Sequence, residues 1–250
     1  MAETYPVDER SKGVRLAKRT AYDVDQVRDL INEATILHVS FNAPLKEPPQ
    51  FPTVLPMLGA IGTYEGDDEQ SIYLHGSSAA RLFKLTDGKE LPLCVCATLF
   101  DGWVLALAPF HNSCNYRSAV AFGYGTVVTD PEECIYALRL ITNNGIPERW
   151  ENSRSPPTKA EITSTGVLKV RIETASVKTR TGGPSDEKAD MQNPDVADKT
   201  WVGVVPAYQM LGDPVATEHN KVKQVPEYLD DWVADANSMA EQRAIDAVDR

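Results

Sequence analysis

A dense run of hydrogen-bonding side chains lies between two apolar stretches, within DGWVLALAPFHNSCNYRSAVAFG at residues 101–123. Unpaired polar groups beside a protein core cost about 1–3 kcal/mol each, so such a run persists when its members bind one another or a ligand. We interpret it as one wall of a cofactor pocket. Its polar members are His111, Asn112, Ser113, Asn115, Tyr116, Arg117 and Ser118. Arg117 and Ser118 open a predicted strand and therefore point to opposite faces, and a surface ion pair remains the alternative for Arg117.

A second group begins where a predicted strand ends, in YLHGSSAARL at residues 73–82. We expect the strand over 71–75 to run directly into a helix formed by GSSAARLFKL at residues 76–85, and free N–H groups at a helix start bind phosphate. The residues that would contribute are His75, Gly76, Ser77, Ser78 and Arg81, with Lys84 one turn further on. The alternative is an ordinary helix capped by serine.

A third group, Lys178, Arg180 and Trp201, comes near the end of the predicted domain. A basic turn and a packed indole would explain these residues. Alternatively they edge the same pocket, where an indole can stack on a planar ring.

Other chemistries find little support in the sequence. Zinc would have to use Cys94, Cys96, His111 and Cys114, but the paired C-x-x-C spacing is missing and the first two alternate in an apolar strand. No G-x-S-x-G, G-x-G-x-x-G or phosphate-loop motif occurs. We therefore expect no metal site and identify no catalytic residue.

The charge and composition narrow the class of partner. The 250 residues carry a formal net charge of −11, which argues against nucleic acid and against an anionic membrane surface. No secretory signal and no apolar run of about 20 residues is visible. We expect a cytoplasmic protein with reduced cysteines.

The periodicity predicts a mainly β (α+β) protein. A helix with an Asp23 cap is expected from residue 24, and strands are expected at 35–41, 53–64, 71–75, 91–99, 103–108, 119–129, 167–177 and 201–205. Asp101-Gly102 predicts a tight hairpin. A helix capped by Asp130, with Pro131 in its first turn, is expected from residue 131. A mobile loop is expected over 179–199, and a weak amphipathic helix near 227–248. These elements favour a closed antiparallel barrel with helical additions.

The chain resembles the flavin-nucleotide-binding proteins of the pyridoxamine 5′-phosphate oxidase-like superfamily, in the branch that includes nitroimidazole-resistance-type proteins. The resemblance covers residues 19–210 and rests mainly on the HGS and FHxSxNYRS blocks, with SVKTRTGGPSD and WVGVVP after them. The chain departs from the family where Asn112 replaces a second histidine and Cys114 replaces a methionine.

The resemblance implies a split antiparallel β-barrel with peripheral helices, which forms a homodimer with FMN in clefts between the subunits. The expected domains are a polar lead-in (1–18), the FMN-binding split barrel (19–210) and an acidic C-terminal extension (211–250). His75, Gly76, Ser77, Ser78 and Arg81 would hold the phosphate and the ribityl chain. The flavin cleft would be lined by Asn115, Tyr116, Arg117 and Ser118, and closed by Lys178, Arg180 and Trp201.

We therefore expect an FMN-dependent oxidoreductase that acts on a small organic molecule, with NADH or NADPH as a candidate donor. The alternative is a non-catalytic carrier or sensor of flavin or haem. In that case His111 or His75 would be the axial ligand of haem.

Overall fold

The computed structural model describes residues 3–43, 51–86 and 88–249. Most of the predicted proline-rich crossing between the first two strands lies outside these residues. The described strands are β1 (Thr20–Ala21), β2 (Leu37–Asn42), β3 (Pro52–Met57), β4 (Gly59–Gly62), β5 (Ser71–Ser77), β6 (Leu91–Leu105), β7 (Ser113–Val127), β8 (Thr165–Arg180) and β9 (Gly203–Pro206). The described helices are α1 (Val24–Glu33), α2 (Arg81–Leu85), α3 (Pro131–Gly145), α4 (Lys159–Ser164), α5 (Lys188–Met191), α6 (Pro194–Ala197) and α7 (Glu227–Asp246).

The strands form a mainly antiparallel sheet in the order β3-β2-β6-β7-β8-β5-β4, while β1 pairs with β8 and β9 pairs with β6. The mainly β prediction is thus confirmed. Two predicted helix starts are confirmed as well, because the Asp23 carboxylate accepts from the Gln26 N–H and Asp130 caps the proline-led α3. Within the described residues, no helix is long and apolar enough to cross a membrane.

The described chain divides into two compact units. Unit 1 consists of Met1–Thr98 and Ser118–Lys178, and unit 2 consists of Leu99–Arg117 and Thr179–Arg250. Strands β6, β7 and β8 contribute residues to both units.

The predicted hairpin at Asp101-Gly102 is wrong, because β6 runs unbroken through both residues. Gly102 has φ of 152° and pairs with Pro206 of β9. A Cβ on Gly102 would lie 2.6 Å from the Val205 carbonyl oxygen, so the glycine permits a close approach of two strands. Asp101 is buried beside it. The Asp-Gly signal marks a strand contact here and not a turn.

Two other expectations need correction. The predicted strand over 53–64 is two strands, β3 and β4, which pair with β2 and with β5. The predicted loop over 179–199 contains two short helices, α5 and α6. Each has only four residues, too few for a hydrophobic period to show in the sequence.

The core of unit 1 includes a cluster in which α3 packs on β4 and β5, with Tyr73 fully buried at its centre. The Tyr73 hydroxyl donates to Glu133 at 2.8 Å. Lys169 binds Glu133 at 2.8 Å and Asp67 at 2.7 Å. Burial, with the neighbouring Glu133 carboxylate, strongly raises the pKa of Tyr73. This network satisfies the polar groups at the edge of the cluster.

Candidate functional site

The helix predicted to start directly after residue 75 starts five residues later, at Arg81. His75, Gly76 and Ser77 belong to β5, where Gly76 pairs with Gly166 and Ser77 pairs with Thr165 of β8. Helix α2 begins only at Arg81, and its N-cap, Ala80, supplies no side-chain cap. The expected helix-start geometry at residues 76–78 is therefore wrong. A phosphate bound there would depend on side chains and strand-end amides.

Gly76 has a packing role in this segment. The Phe83 ring of α2 lies over the pair that Gly76 forms with Gly166, since a Cβ on Gly166 would be 2.6 Å from the ring and one on Gly76 would be 3.1 Å from it. Phe83 is buried. The two opposed glycines therefore make the space that seats Phe83 on the sheet.

The two serines lie at the exposed end of β5. Ser77 Oγ accepts from the Ala79 N–H at 3.3 Å, and Ser78 Oγ donates to the Thr163 carbonyl at 3.1 Å. Both residues are exposed, as is Arg81. A hydroxyl that donates through its single hydrogen can still accept a bond, and it can reorient to donate to a ligand.

His75 stands one residue before Gly76 and is half-buried. Burial lowers the pKa of its imidazole. The neutral ring is thus favoured, and a neutral imidazole presents one N–H donor and one nitrogen acceptor.

Ser118 and Lys178 also belong to unit 1 but sit elsewhere on its sheet. Ser118 Oγ donates to the Lys178 carbonyl at 3.2 Å, and Lys178 Nζ donates to the Arg15 carbonyl at 3.3 Å. Lys178 lies near the far end of β8 from Thr165, the partner of Ser77. At about 3.3 Å per residue, that stretch of strand spans up to about 40 Å. One chain therefore places Ser77 and Lys178 at opposite ends of β8.

Within unit 2, Arg117 is held by a carboxylate that we had assigned to a turn. Its Nε and Nη2 donate to both oxygens of Asp101, at 2.9–3.3 Å. The side chain of Asp101 is 5% exposed and that of Arg117 is 24% exposed. This fork-to-fork geometry fixes the guanidinium plane, so Arg117 presents an oriented and partly neutralised charge.

Asn115 and Arg180 form a second buried pair in unit 2. Arg180 Nη1 donates to Asn115 Oδ1, and Arg180 Nη2 donates to the Gly183 carbonyl at 3.2 Å. Asn115 is 0% exposed, and its Nδ2 donates to the carbonyl of Ala247 at 3.1 Å. Asn115 and Arg180, both predicted to line the site, therefore form hydrogen bonds with groups of the protein itself.

The polar loop before β7 is organised by its own side chains. Asn112 Oδ1 accepts from the Ala106 N–H at 2.8 Å, and Asp186 accepts from the Leu107 N–H at 2.8 Å. Tyr116 is half-buried. His111 Nδ1 is buried and has no hydrogen-bond partner among the described residues. Among the buried side-chain nitrogen and oxygen atoms of this loop in the described part of the chain, it is the one without a hydrogen-bond partner.

Trp201 lies against the start of β9 and is 65% exposed. The ring covers Gly203, whose Cβ would lie 2.6 Å from the indole. Because most of Trp201 is exposed, its ring can stack on a planar ligand.

Three residues important to this arrangement were missed from the sequence. Asp101 is assigned to a turn by its sequence context, Ala247 acts through its backbone carbonyl, and the Asp186 carboxylate accepts from the Leu107 N–H. The half-buried Arg117 is the nearest thing to a signal for Asp101, since a guanidinium beside a strand favours an acidic partner. Among the residues that the structure describes, no group of three or more metal-ligating side chains occurs.

Comparisons with known proteins agree with this fold. The structure is similar to that of the flavocytochrome Anf3 from Azotobacter vinelandii, with 29% identity and a TM-score of 0.73, over 90% of this chain and 97% of that chain. It is also similar to the FAD and haem binding protein from Mycobacterium smegmatis, with 25% identity and a TM-score of 0.71, over 86% of this chain and 97% of that chain. The predicted split antiparallel barrel with peripheral helices is confirmed.

No curated protein matches the sequence. Residues 23–179, however, match the family model described as pyridoxamine 5′-phosphate oxidase. This match covers more than half of the sequence and includes β5, β7 and most of β8. The chain therefore belongs to the pyridoxamine 5′-phosphate oxidase family.

Proposed function

We propose that this protein binds a flavin nucleotide at a homodimer interface and acts as an oxidoreductase on a small organic molecule. The observation that carries the proposal is its likeness, along nearly the whole chain, to proteins named as a flavocytochrome and as an FAD and haem binding protein. Membership of the pyridoxamine 5′-phosphate oxidase family supports the same conclusion. We expect FMN, and FAD is the rival nucleotide.

The exposed end of β5 suits the phosphate of the nucleotide. Ser77 and Ser78 present hydroxyls there, the Arg81 guanidinium follows on the exposed start of α2, and His75 precedes them as a neutral ring. Charge-assisted and hydroxyl hydrogen bonds to phosphate are strong and short. Gly76 contributes by seating Phe83, which holds this end of the strand in place.

The ring system of the flavin would lie against the other predicted residues. Trp201 offers an exposed indole face for stacking. Arg117 is oriented by Asp101, and Asn115 with Arg180 fixes the backbone near Gly183. When bound, the flavin supplies the ability to accept and return a hydride, and the protein positions it and excludes competing reactions. NADH or NADPH is the candidate donor.

The length of β8 favours two chains for each site. Ser77 and Lys178 lie at opposite ends of the strand, up to about 40 Å apart along an extended chain. Because an extended strand keeps its two ends apart, we do not expect Lys178 of the same chain beside the phosphate end at Ser77. A second copy can bring its own Lys178 and Ser118 towards the first copy's β5, which supports the proposed homodimer.

The first experiment is an absorption spectrum of the purified protein before and after incubation with FMN or FAD. Retained flavin bands are expected, and denaturing extraction followed by chromatography identifies the nucleotide. Light scattering should give the mass of a dimer. A protein that retains neither nucleotide refutes the proposal, and a flavin-loaded monomer refutes the interface.

The phosphate assignment is tested by Arg81→Ala, with Arg28→Ala as its matched control. Arg28 is an arginine of α1 paired with Asp25 at 2.6 Å and lies outside the proposed site. We expect the first change to weaken flavin binding by tenfold or more, since charged hydrogen bonds contribute about 1.5–3 kcal/mol. The control should bind like the unchanged protein. Equal affinities in both variants would remove Arg81 from the site.

Haem binding is a second candidate function, because both similar proteins carry haem or cytochrome in their names. The buried and unpartnered Nδ1 of His111 favours it, since a histidine nitrogen without a hydrogen bond is available to ligate iron. Haemin titration of the His111→Ala, His75→Ala and His38→Ala variants tests it. His38 is exposed on β2 and is the control. A Soret shift unchanged in all three variants would reject these histidines as the iron ligand, and the absence of a Soret shift with the unchanged protein would reject the function.

A further inference from the structure

The acidic C-terminal helix α7 has one buried end. Ala244 is 1% exposed and Ala247 is 6% exposed, whereas much of the helix is exposed to solvent. The helix is thus anchored where it finishes. Sequence reasoning treated this extension as separate from the functional residues, and the structure connects the two within unit 2.

The anchor is a carbonyl group that follows the helix. The last carbonyls of a helix have no partner within it and need one from outside. The Ala247 carbonyl accepts from the Gly182 N–H at 2.8 Å and from Asn115 Nδ2 at 3.1 Å. It therefore has both of its acceptor positions filled by residues next to the predicted flavin cleft.

Asn115 links this carbonyl to Arg180. A carbonyl only accepts and a guanidinium only donates, so the partners fix Nδ2 towards Ala247 and Oδ1 towards Arg180. Arg180 continues the connection to the carbonyls of Gly182 and Gly183 at 3.4 and 3.2 Å. The negative end of the helix dipole also lies on the side of the guanidinium, which favours its charge.

Two further contacts hold α7 to the segment after β9. Asn237 accepts from the Leu211 N–H at 2.7 Å and donates to the Leu211 carbonyl at 2.9 Å, as a paired strand would. The Tyr208 hydroxyl donates to Glu241 at 3.1 Å. The C-terminal half of the helix is therefore held at three positions and not only at its end.

We propose that the docked end of α7 positions Asn115 and Arg180, so that flavin affinity depends on the docking of Ala244 and Ala247. Asn115 and Arg180 are then positioning residues that set the backbone of residues 180–183 beside the cleft. This inference rests on the proposed function. Linkage requires the converse effect, because a ligand whose affinity depends on docking must itself stabilise the docked helix by the same factor.

The test uses Ala244→Glu, which places a charged side chain in the buried contact without changing any residue of the proposed site. Ala234→Glu introduces the same side chain at an exposed position of the same helix and is the matched control. Flavin affinity is measured by fluorescence titration. Hydrogen–deuterium exchange at the Gly182 amide reports docking directly and needs no flavin.

We expect Ala244→Glu to speed exchange at Gly182 and to weaken flavin binding by tenfold or more, while the control changes affinity by less than twofold. Faster exchange at Gly182 with unchanged affinity would overturn the coupling. If Ala244→Glu does not fold, the inference is tested on the unchanged protein by hydrogen–deuterium exchange with and without flavin. Saturating flavin should then slow exchange at Gly182 and over residues 244–249 about tenfold, and no slowing would overturn the inference.

The two proposals fail in different ways. A protein that takes up no flavin overturns the proposed function, and the positioning role with it, before any variant is made. A protein that binds flavin equally well with α7 docked or undocked overturns only the positioning role.

Discussion

The ion pair between Asp101 and Arg117 allows a quantitative test of how unit 2 is held together. Arg117 donates to both carboxylate oxygens of Asp101, whose side chain is 5% exposed. Asp101→Leu removes the carboxylate and leaves the guanidinium, and Arg117→Met does the reverse. We predict that both changes destabilise the fold.

The magnitude follows from the burial of each partner. Removing one member of a buried pair costs about 3–5 kcal/mol, because the other charge is left without compensation. The 24% exposure of the Arg117 side chain lets water solvate part of its guanidinium once the Asp101 carboxylate is gone. We therefore expect about 2–3 kcal/mol for Asp101→Leu and about 3–5 kcal/mol for Arg117→Met. At about 2–4 °C per kcal/mol, Asp101→Leu should lower Tm by about 5–10 °C.

The assay is a double-mutant cycle with urea and thermal unfolding of the unchanged protein, both single variants and the double variant. The double variant should cost less than the two single changes together by about 1.5 kcal/mol or more. The exposed pair between Arg10 and Asp8, at 2.5 Å, is the control. Its coupling should not exceed about 0.5 kcal/mol.

A coupling for the Asp101–Arg117 pair as small as that of the control would refute this reasoning. We attribute the larger loss in Arg117→Met to the buried Asp101 carboxylate that this variant leaves behind. A larger loss of stability in Asp101→Leu than in Arg117→Met would refute that explanation. Additive single effects would show that the two residues act separately.

Three further predictions concern unit 1. Gly166→Ala should destabilise the protein by about 1–3 kcal/mol, because the new methyl group meets an aromatic ring at 2.6 Å, while Gly145→Ala, with nothing within 4 Å, should not destabilise it. Lys169→Met should cost about 2–3 kcal/mol because it strands two half-buried carboxylates, whereas Lys199→Met breaks an exposed pair and should cost under about 0.5 kcal/mol. Burial and the neighbouring Cys96 raise the pKa of the Cys94 thiol to about 11 from 9.0. The free energy of unfolding should therefore decline between about pH 9 and pH 11, and it should decline less in the Cys94→Ala variant.

Urea midpoints measure all three, and each has a contrary result. Equal losses in the two glycine variants would place the ring elsewhere. Equal losses in the two lysine variants would mean that burial does not strengthen the Lys169 network. For the thiol, the sign follows from linkage, since the unfolded chain releases its proton at lower pH than the folded one. Parallel pH profiles for Cys94→Ala and the unchanged protein would contradict it.

Local sequence patterns predicted helices and strands well where a single interaction, such as a helix cap or an alternating apolar face, determines the element. The caps of α1 and α3 were identified because an aspartate precedes an apolar period of 3.6. The β-rich class followed from alternation in several segments. The family resemblance was confirmed because its motifs extend over several separated strands.

The contacts of individual side chains could not be predicted, because they depend on residues distant in the sequence. Asp101 pairs with a residue 16 positions away, and Asn115 binds a carbonyl 132 positions away. The Asp-Gly dipeptide was misassigned because glycine serves both turns and close strand approaches. The helix start near Ser77 failed because β5 continues its pairing with β8 through that residue.

The two glycines that seat Phe83 carry a consequence for how this sequence can diverge. A side chain at residue 76 or 166 would occupy the space of the ring, so neither position can enlarge alone. Related sequences should therefore vary at the three positions together, with a small residue at 83 wherever 76 or 166 carries a Cβ. Such linked variation would mark the seat of the ring in relatives whose structures are unknown.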